Sequence, residues 1–202
     1  MVLESDRLIL RGWRDEDASS LFKYARDERV GPPAGWLPHR DENYSRAIIR
    51  TVFSKRESYA ICLKAPVDAI SRRGFLPSAG KNLTDAASEP VGSISLTLDG
   101  SSDRPLKEGE AELGYWVAYP FWGQGIASEA AMEICRYAFS ALSINRIYCA
   151  YFEGNDRSKR VMEKCGFTYH HTNESRKILQ LGISVREHVT SLSSDEWLAQ
   201  RY

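Results

Sequence analysis

The chain has no excess of either charge: 27 Lys and Arg stand against 27 Asp and Glu in 202 residues. A protein held to nucleic acid mainly through phosphates needs a basic surplus, so that class is set aside. No apolar run approaches the ~18 residues that a membrane-crossing helix requires. The opening MVLESDRLILRGWRDED places acids early and has no uninterrupted apolar stretch. It does not read as a secretory leader, and a cytoplasmic protein is expected. Cysteine is sparse. Cys62, Cys135, Cys149 and Cys165 contain no C-x-x-C pair and are too few for a disulfide scaffold, so they read as buried reduced thiols. His39, His170, His171 and His188 form no H-x-x-x-H and no Cys/His cluster, so no metal is expected.

What is present is ordinary globular material, 43% hydrophobic and 27% charged. The length suits one domain over 1–202. A chain of this size buries roughly 70% of its unfolded surface and can form a core without disulfides or metal. Residues 3–11 alternate after Arg7 and predict a strand. Asp15 is the expected N-cap of a helix carrying Ala18, Leu21, Phe22 and Ala25 at helical spacing. Pro and Gly punctuate 31–39, and a second helix follows over about 41–54. Strands are expected at 58–64 and 91–98. The polar stretch between them, 65–89, is too long for a hairpin turn and reads as an exposed insertion. A polar loop at 99–109 leads to a strand at 111–118, a helix at 125–140 and a strand at 146–152. A short helix starting near Asn155 and stopping at Gly166 comes next, then strands at 167–172 and 183–191 and a final helical turn at 194–198. That order predicts a mixed α+β fold with helices on the faces of a sheet.

The chemistry concentrates in Trp122-Gly123-Gln124-Gly125-Ile126-Ala127-Ser128-Glu129-Ala130, a glycine-rich turn between a strand and a helix. Small residues let a ligand approach the backbone. The first amides of the helix are unpaired and lie at the positive end of its dipole, which together make a pyrophosphate site. No Lys-Ser/Thr follows the glycines, so this is not a P-loop. Ser128 stands where a dinucleotide fingerprint needs its third glycine, and no acidic residue closes the next strand until Glu153, so a nicotinamide-dependent oxidoreductase is disfavoured.

These residues resemble the GNAT N-acetyltransferase superfamily and, within it, the RimJ/RimL-like branch. The family pattern Gln/Arg-x-x-Gly-x-Gly/Ala is met at its last positions by Gly125 and Ala127, with Trp122 at the first. The preceding E-L-G-Y-W-V (112–117), Asn155-x-x-Ser158 leading to Lys164-Cys165-Gly166-Phe167, the opening L-E-S-D-R-L-I-L-R and the closing D-E-W fit the same branch. The resemblance spans nearly the whole chain outside 65–89.

It implies a twisted, mostly antiparallel sheet splayed between two parallel strands, here 111–118 and 146–152, with acetyl-CoA lying in the V. Main-chain groups near Val117 and Ala118 would pair with the pantetheine arm as an added strand would. An amide there would also polarise the thioester carbonyl. The turn Trp122, Gly123, Gln124, Gly125, Ile126 and Ala127 would hold the pyrophosphate. Asn155 and Ser158 would bond the pantetheine or sit near the sulfur, and the basic run Arg157-Ser158-Lys159-Arg160 either approaches the 3′-phosphate or is a solvated helix face.

Glu112 takes the family position of the general base that frees the amine. Many GNAT enzymes carry a Tyr four residues before the Gly of the G-F pair. Met162 stands there in this chain, so that acid is absent, and the resemblance to RimL-like enzymes, which use the Ser of N-x-x-S, implies Ser158 as the acid, with Tyr115 and Tyr119 as weaker candidates. Trp36, His39 and Tyr115 are candidates for contacts with the acceptor. The expected activity is acetyl transfer to a primary amine, either a protein N-terminal α-amine or a small molecule, by direct transfer in a ternary complex. The alternative is a catalytically silent acyl-CoA-binding module. No metal, nucleic acid or membrane enters this reading, and the protein would be a monomer or homodimer.

Overall fold

The computed structural model describes residues 1–64, 89–98 and 104–200. Its elements are β1 (Val2–Glu4), β2 (Leu8–Arg11), α1 (Ala18–Ala25), α2 (Glu42–Thr51), β3 (Ser58–Leu63), β4 (Pro90–Leu98) and β5 (Glu110–Val117). These are followed by α3 (Ile126–Ala141), β6 (Arg146–Phe152), α4 (Asp156–Lys164), β7 (Thr168–Ile178), β8 (Ile183–Ser193) and α5 (Ser194–Ala199). The strands form one sheet in the order β1-β2-β3-β4-β5-β6-β8-β7. β5 and β6 run parallel, and the other neighbours run antiparallel. This is the mixed α+β architecture the sequence implies.

The opening run is two strands, not one. Ser5 N–H donates to the Leu8 carbonyl at 3.1 Å and Leu8 N–H donates to the Ser5 hydroxyl at 3.2 Å, which folds Val2 back opposite Arg11. A Ser-Asp turn here outweighs the alternation on either side. Asp15 does not cap α1; it pairs with Arg50 of α2. Asp17 accepts the Arg14 N–H at 2.9 Å and the Arg11 guanidinium at 2.7 and 2.8 Å. Arg11 and Asp17 are both buried. Removing either partner would strand the other's charge, so the pair fixes α1 to β2. Asp41 caps α2 by accepting the Tyr44 N–H at 2.6 Å.

β7 runs six residues beyond the strand expected at 167–172, to Ile178. Residues 173–177 are polar and largely exposed, so they carry no period-two signal. The insertion at 65–89, apart from Glu89, and the first part of the loop at 99–109 lie outside the described residues.

Alternation along β5 sorts its side chains to the two faces. Ala111, Leu113 and Val117 join Ile126, Ala130 and Ile134 of α3 in the larger core. Trp116 turns to the other face and packs with Ala18, Leu21 and Ala25 of α1 and Ile49 of α2. The parallel pairing of β5 with β6 runs only from Glu110 opposite Arg146 to Leu113 opposite Cys149. Beyond that point each strand stays with its antiparallel neighbour, β5 as far as Val117 opposite Gly92 and β6 as far as Phe152 opposite Glu187. The sheet therefore opens into a V between Gly114–Val117 and Ala150–Phe152.

Candidate active site

A cleft of about 1560 Å³ fills the V and continues over the turn that follows β5. The turn is rigid by construction. The Trp122 indole N–H donates to the Val117 carbonyl at 2.6 Å, and the Phe121 N–H donates to the Ala118 carbonyl at 2.9 Å. Gly123 and Gly125 then take φ of +77° and +78°, a conformation that strains any residue with a Cβ. A Cβ on Gly123 would meet nothing within 4 Å, so the space over the turn is open to a ligand. α3 starts immediately afterwards, and its first amides have no partner inside the helix. Glu129 in this first turn is tied away from the opening by Ser5 Oγ at 2.7 Å and Arg7 Nε at 2.6 Å. Burial pushes its carboxyl up, and the hydrogen bonds from Ser5 and Arg7 outweigh that, holding it below the usual range.

α4 forms the facing wall. Asn155 caps it by accepting the Ser158 N–H at 3.2 Å, and its amide reaches the Pro33 carbonyl at 3.4 Å, joining the α1–α2 loop to α4 across the cleft. Arg157, Arg160 and Lys164 lie on the cleft wall at i, i+3 and i+7. Arg157 lies over the Trp122 ring, 4.7 Å from its centroid. Open amides, a helix N-terminus and three cations suit a polyanionic ligand such as a nucleotide pyrophosphate. The residues present thus fit coenzyme A.

The two faces of β5 supply different groups. On the α3 side the Tyr115 hydroxyl lies 2.8 Å from Ser158 Oγ and 3.2 Å from the Ser158 carbonyl. Burial pushes the Tyr115 phenol well up, so it stays protonated and donates. On the α1–α2 side lies Glu112, whose carboxylate is 3.4 Å from Arg104. Gly114, between Glu112 and Trp116, leaves that stretch of wall without a side chain.

A family model described as an acetyltransferase (GNAT) domain matches residues 7–168. The chain belongs to the GNAT acetyltransferase family. It is 30% identical over 166 residues to the uncharacterized N-acetyltransferase YoaA of Bacillus subtilis, and the match covers 82% of each chain. It is 32% identical over 126 residues to the FsC-acetyl coenzyme A-N(2)-transacetylase of Aspergillus fumigatus, covering 61% of this chain and 54% of that one. A GNAT-family acetyltransferase from Bacillus anthracis has the same fold, with a TM-score of 0.74 at 20% identity, over 96% of this chain and 99% of that one.

Within this GNAT domain, most of the residues singled out from sequence lie on the cleft. Glu112, Tyr115, Val117, Trp122, Gly123, Gly125, Ile126, Ala127, Asn155 and Ser158 all line it. Four others do not. Ala118 is fully buried; its N–H donates to Val91 at 2.8 Å and its carbonyl accepts from Phe121, so its main-chain groups are spent inside the protein. Val117 is different. Antiparallel alternation turns its N–H away from β4 and toward the V. Gln124 points back along the turn, its amide donating to the Pro120 carbonyl at 3.1 Å and its own carbonyl accepting from Arg7 at 3.0 Å. In the α1–α2 loop, Trp36 packs edge-on against Trp116 with ring centroids 5.9 Å apart and at a tilt against His39 at 5.4 Å. His39 is buried with Nδ1 2.8 Å from Ser45 Oγ, and burial lowers its pKa to about 4. The same loop presents Pro33, Ala34 and Gly35 to the cleft instead. Sequence reasoning leaves out Arg104, Glu187 and Lys164 as site residues. The spacing of Lys164 from Arg157 was a usable signal; for Arg104 and Glu187 there was none.

Proposed function

We propose that this GNAT enzyme transfers acetyl from acetyl-CoA directly to a primary amine held with it in a ternary complex. One observation carries the reading. The V opens to both faces of the sheet, with the phosphate-type turn and Ser158 on one face and Glu112 on the other. A ligand held on the α3 side and an amine on the α1–α2 side would meet where β5 and β6 part. Acetyl-CoA supplies the activated thioester. The turn from Gly123 to Ala127 and the cations of α4 would hold its phosphates, and the Val117 N–H would face its pantetheine arm.

An alkylammonium, with a pKa of about 10, has no lone pair to attack with, so Glu112 takes its proton, directly or through one water. Tyr115, hydrogen-bonded to Ser158, holds the Ser158 hydroxyl where its proton can pass to the leaving sulfur, and the proton that the attacking nitrogen loses after bond formation makes good that loss. The acceptor is an α-amino group of a polypeptide or a small-molecule amine. The transacetylase relative, whose name specifies an N(2) position and acetyl coenzyme A, supports an amine acceptor.

The test is thiol release from acetyl-CoA across peptides with free N-termini, polyamines and aminoglycosides, with a calorimetric titration of CoA alongside. Release with one acceptor class is expected. Tight CoA binding with no release from any amine would favour the silent binding module. No CoA binding would remove the functional reading.

A further inference from the structure

A second cavity, of about 680 Å³, lies beside the cleft and is walled by Tyr148, His170 and His171. The two cavities share Glu112, Arg176, Lys177 and Glu187 as common wall. Arg104 sits at this junction. Its Nη2 is 3.4 Å from Glu112 Oε1 and 3.6 Å from Glu187 Oε2. Their side chains are 14%, 26% and 9% exposed for Arg104, Glu112 and Glu187, so water screens these charges weakly. Glu187 is held from the other side by the Asn173 amide at 2.7 Å.

We propose that Arg104 is a positioning residue for acetyl transfer, its one guanidinium shared between Glu112 and Glu187 so that the Glu112 carboxylate is held, charge-balanced, where the two cavities meet. This rests on Glu112 being the base. The sharing matters because two carboxylates face one cation. Arg104 compensates both, and Glu187, anchored by Asn173, draws the guanidinium away from a full grip on Glu112. The contrast is the Arg11–Asp17 pair, where both carboxylate oxygens are held at 2.7 and 2.8 Å. The other titratable or charged groups lining this cavity among the described residues are Tyr148 of β6, whose hydroxyl donates to Glu110 at 3.1 Å, and His170, His171, Glu174, Arg176 and Lys177 of β7, Glu174 being paired with Arg186 at 3.0 Å.

Two substitutions move the charge balance in opposite directions, which loss of packing alone would not do. Arg104→Gln leaves two carboxylates facing each other and makes proton uptake easier. The acid limb of kcat/KM should move up. Glu187→Gln lets the guanidinium serve Glu112 alone, and the limb should move down. Arg104→Lys should restore most of the original profile. The same acceptor is used throughout, so its own ionisation cancels, and KM for acetyl-CoA should not change.

The proposal is overturned if Arg104→Gln and Glu187→Gln leave the limb in place, or move it the same way, while Glu112→Gln abolishes turnover. In that case the reading of Glu112 stands. If Glu112→Gln keeps full activity and its limb, the base assignment fails and this proposal fails with it. Should Arg104→Gln not fold, Glu187→Gln and Arg104→Lys decide by the direction of the limb alone.

Discussion

The two sides of the V are built from different materials. The side proposed for the cofactor has a backbone cradle: positive-φ glycines at 123 and 125, the first amides of α3 and the Val117 N–H. Trp122 and Glu129 hold that backbone in place, and Arg157, Arg160 and Lys164 of α4 add charge across from it. The side proposed for the acceptor is side chain. Glu112 comes from β5, Arg104 from the preceding loop, Glu187 from β8 and Asn173 from β7. A backbone cradle binds any ligand of the right shape and charge, which suits a cosubstrate common to a whole family. A wall of side chains drawn from four segments can be exchanged residue by residue, which suits an acceptor that differs from enzyme to enzyme.

The sharpest way to break this comparison is a reciprocal pair. Glu112→Gln should lower kcat by about 10²- to 10⁴-fold, the range for loss of a general base, with CoA affinity unchanged by calorimetry. Gly125→Ala should do the converse. It forces a Cβ into left-handed backbone, 3.4 Å from Arg7 Nη2, at a cost of roughly 1–2 kcal/mol in the turn. CoA affinity should fall about tenfold, with kcat at saturating acetyl-CoA largely kept. If either change moved both quantities alike, the two sides would not be separable.

That division also explains what could be read from sequence. The turn at 122–127 was legible because backbone demands are local: glycine at two positions and a helix start leave a contiguous mark. The order of elements was legible for the same reason, and β5 and β6 stood out as apolar, aromatic-rich runs between turn signals and helices. Some residues singled out from sequence lie off the cleft, because neighbours in sequence part in space. Ala118 adjoins Val117 yet spends its N–H on β4, and Gln124 lies inside the turn yet points along it. Glu187 is an unremarked acid in a polar strand 75 positions from Glu112 in the sequence. Only the register of β6 with β8, and the parting of β6 from β5, bring it to the junction.

A smaller effect sharpens the boundary between the sides. Tyr115 belongs to the same strand as Glu112 but to the opposite face, where its hydroxyl meets Ser158. Ser158→Ala should lower kcat about tenfold, the worth of one hydrogen bond to a developing charge. Tyr115→Phe should cost less and add little in the double variant, because Tyr115 acts through Ser158. Full additivity of the two changes, measured as a double-mutant cycle on kcat, would show that Tyr115 contacts the reacting groups itself.

The smallest expected effect on activity comes from the loop that walls the acceptor side. His39 is folded into that wall as a neutral side chain, its N–H on the Ala25 carbonyl at 3.0 Å and its ring on Ser45. Its pKa of about 4 lies below the ordinary 6.5 because burial disfavours the imidazolium. The unfolded chain therefore takes up this proton first on acidification. The stabilisation is complete above about pH 6.5 and is lost progressively as the pH falls toward 4, up to about 3 kcal/mol in all. His39→Gln should flatten the fall in unfolding free energy across that window, measured by urea denaturation, and leave kcat/KM at neutral pH within about twofold. A large loss of kcat/KM with an unchanged stability profile would return His39 to the acceptor site; the expected outcome keeps it as scaffold behind Pro33, Ala34 and Gly35, the part of the loop that lines the cleft.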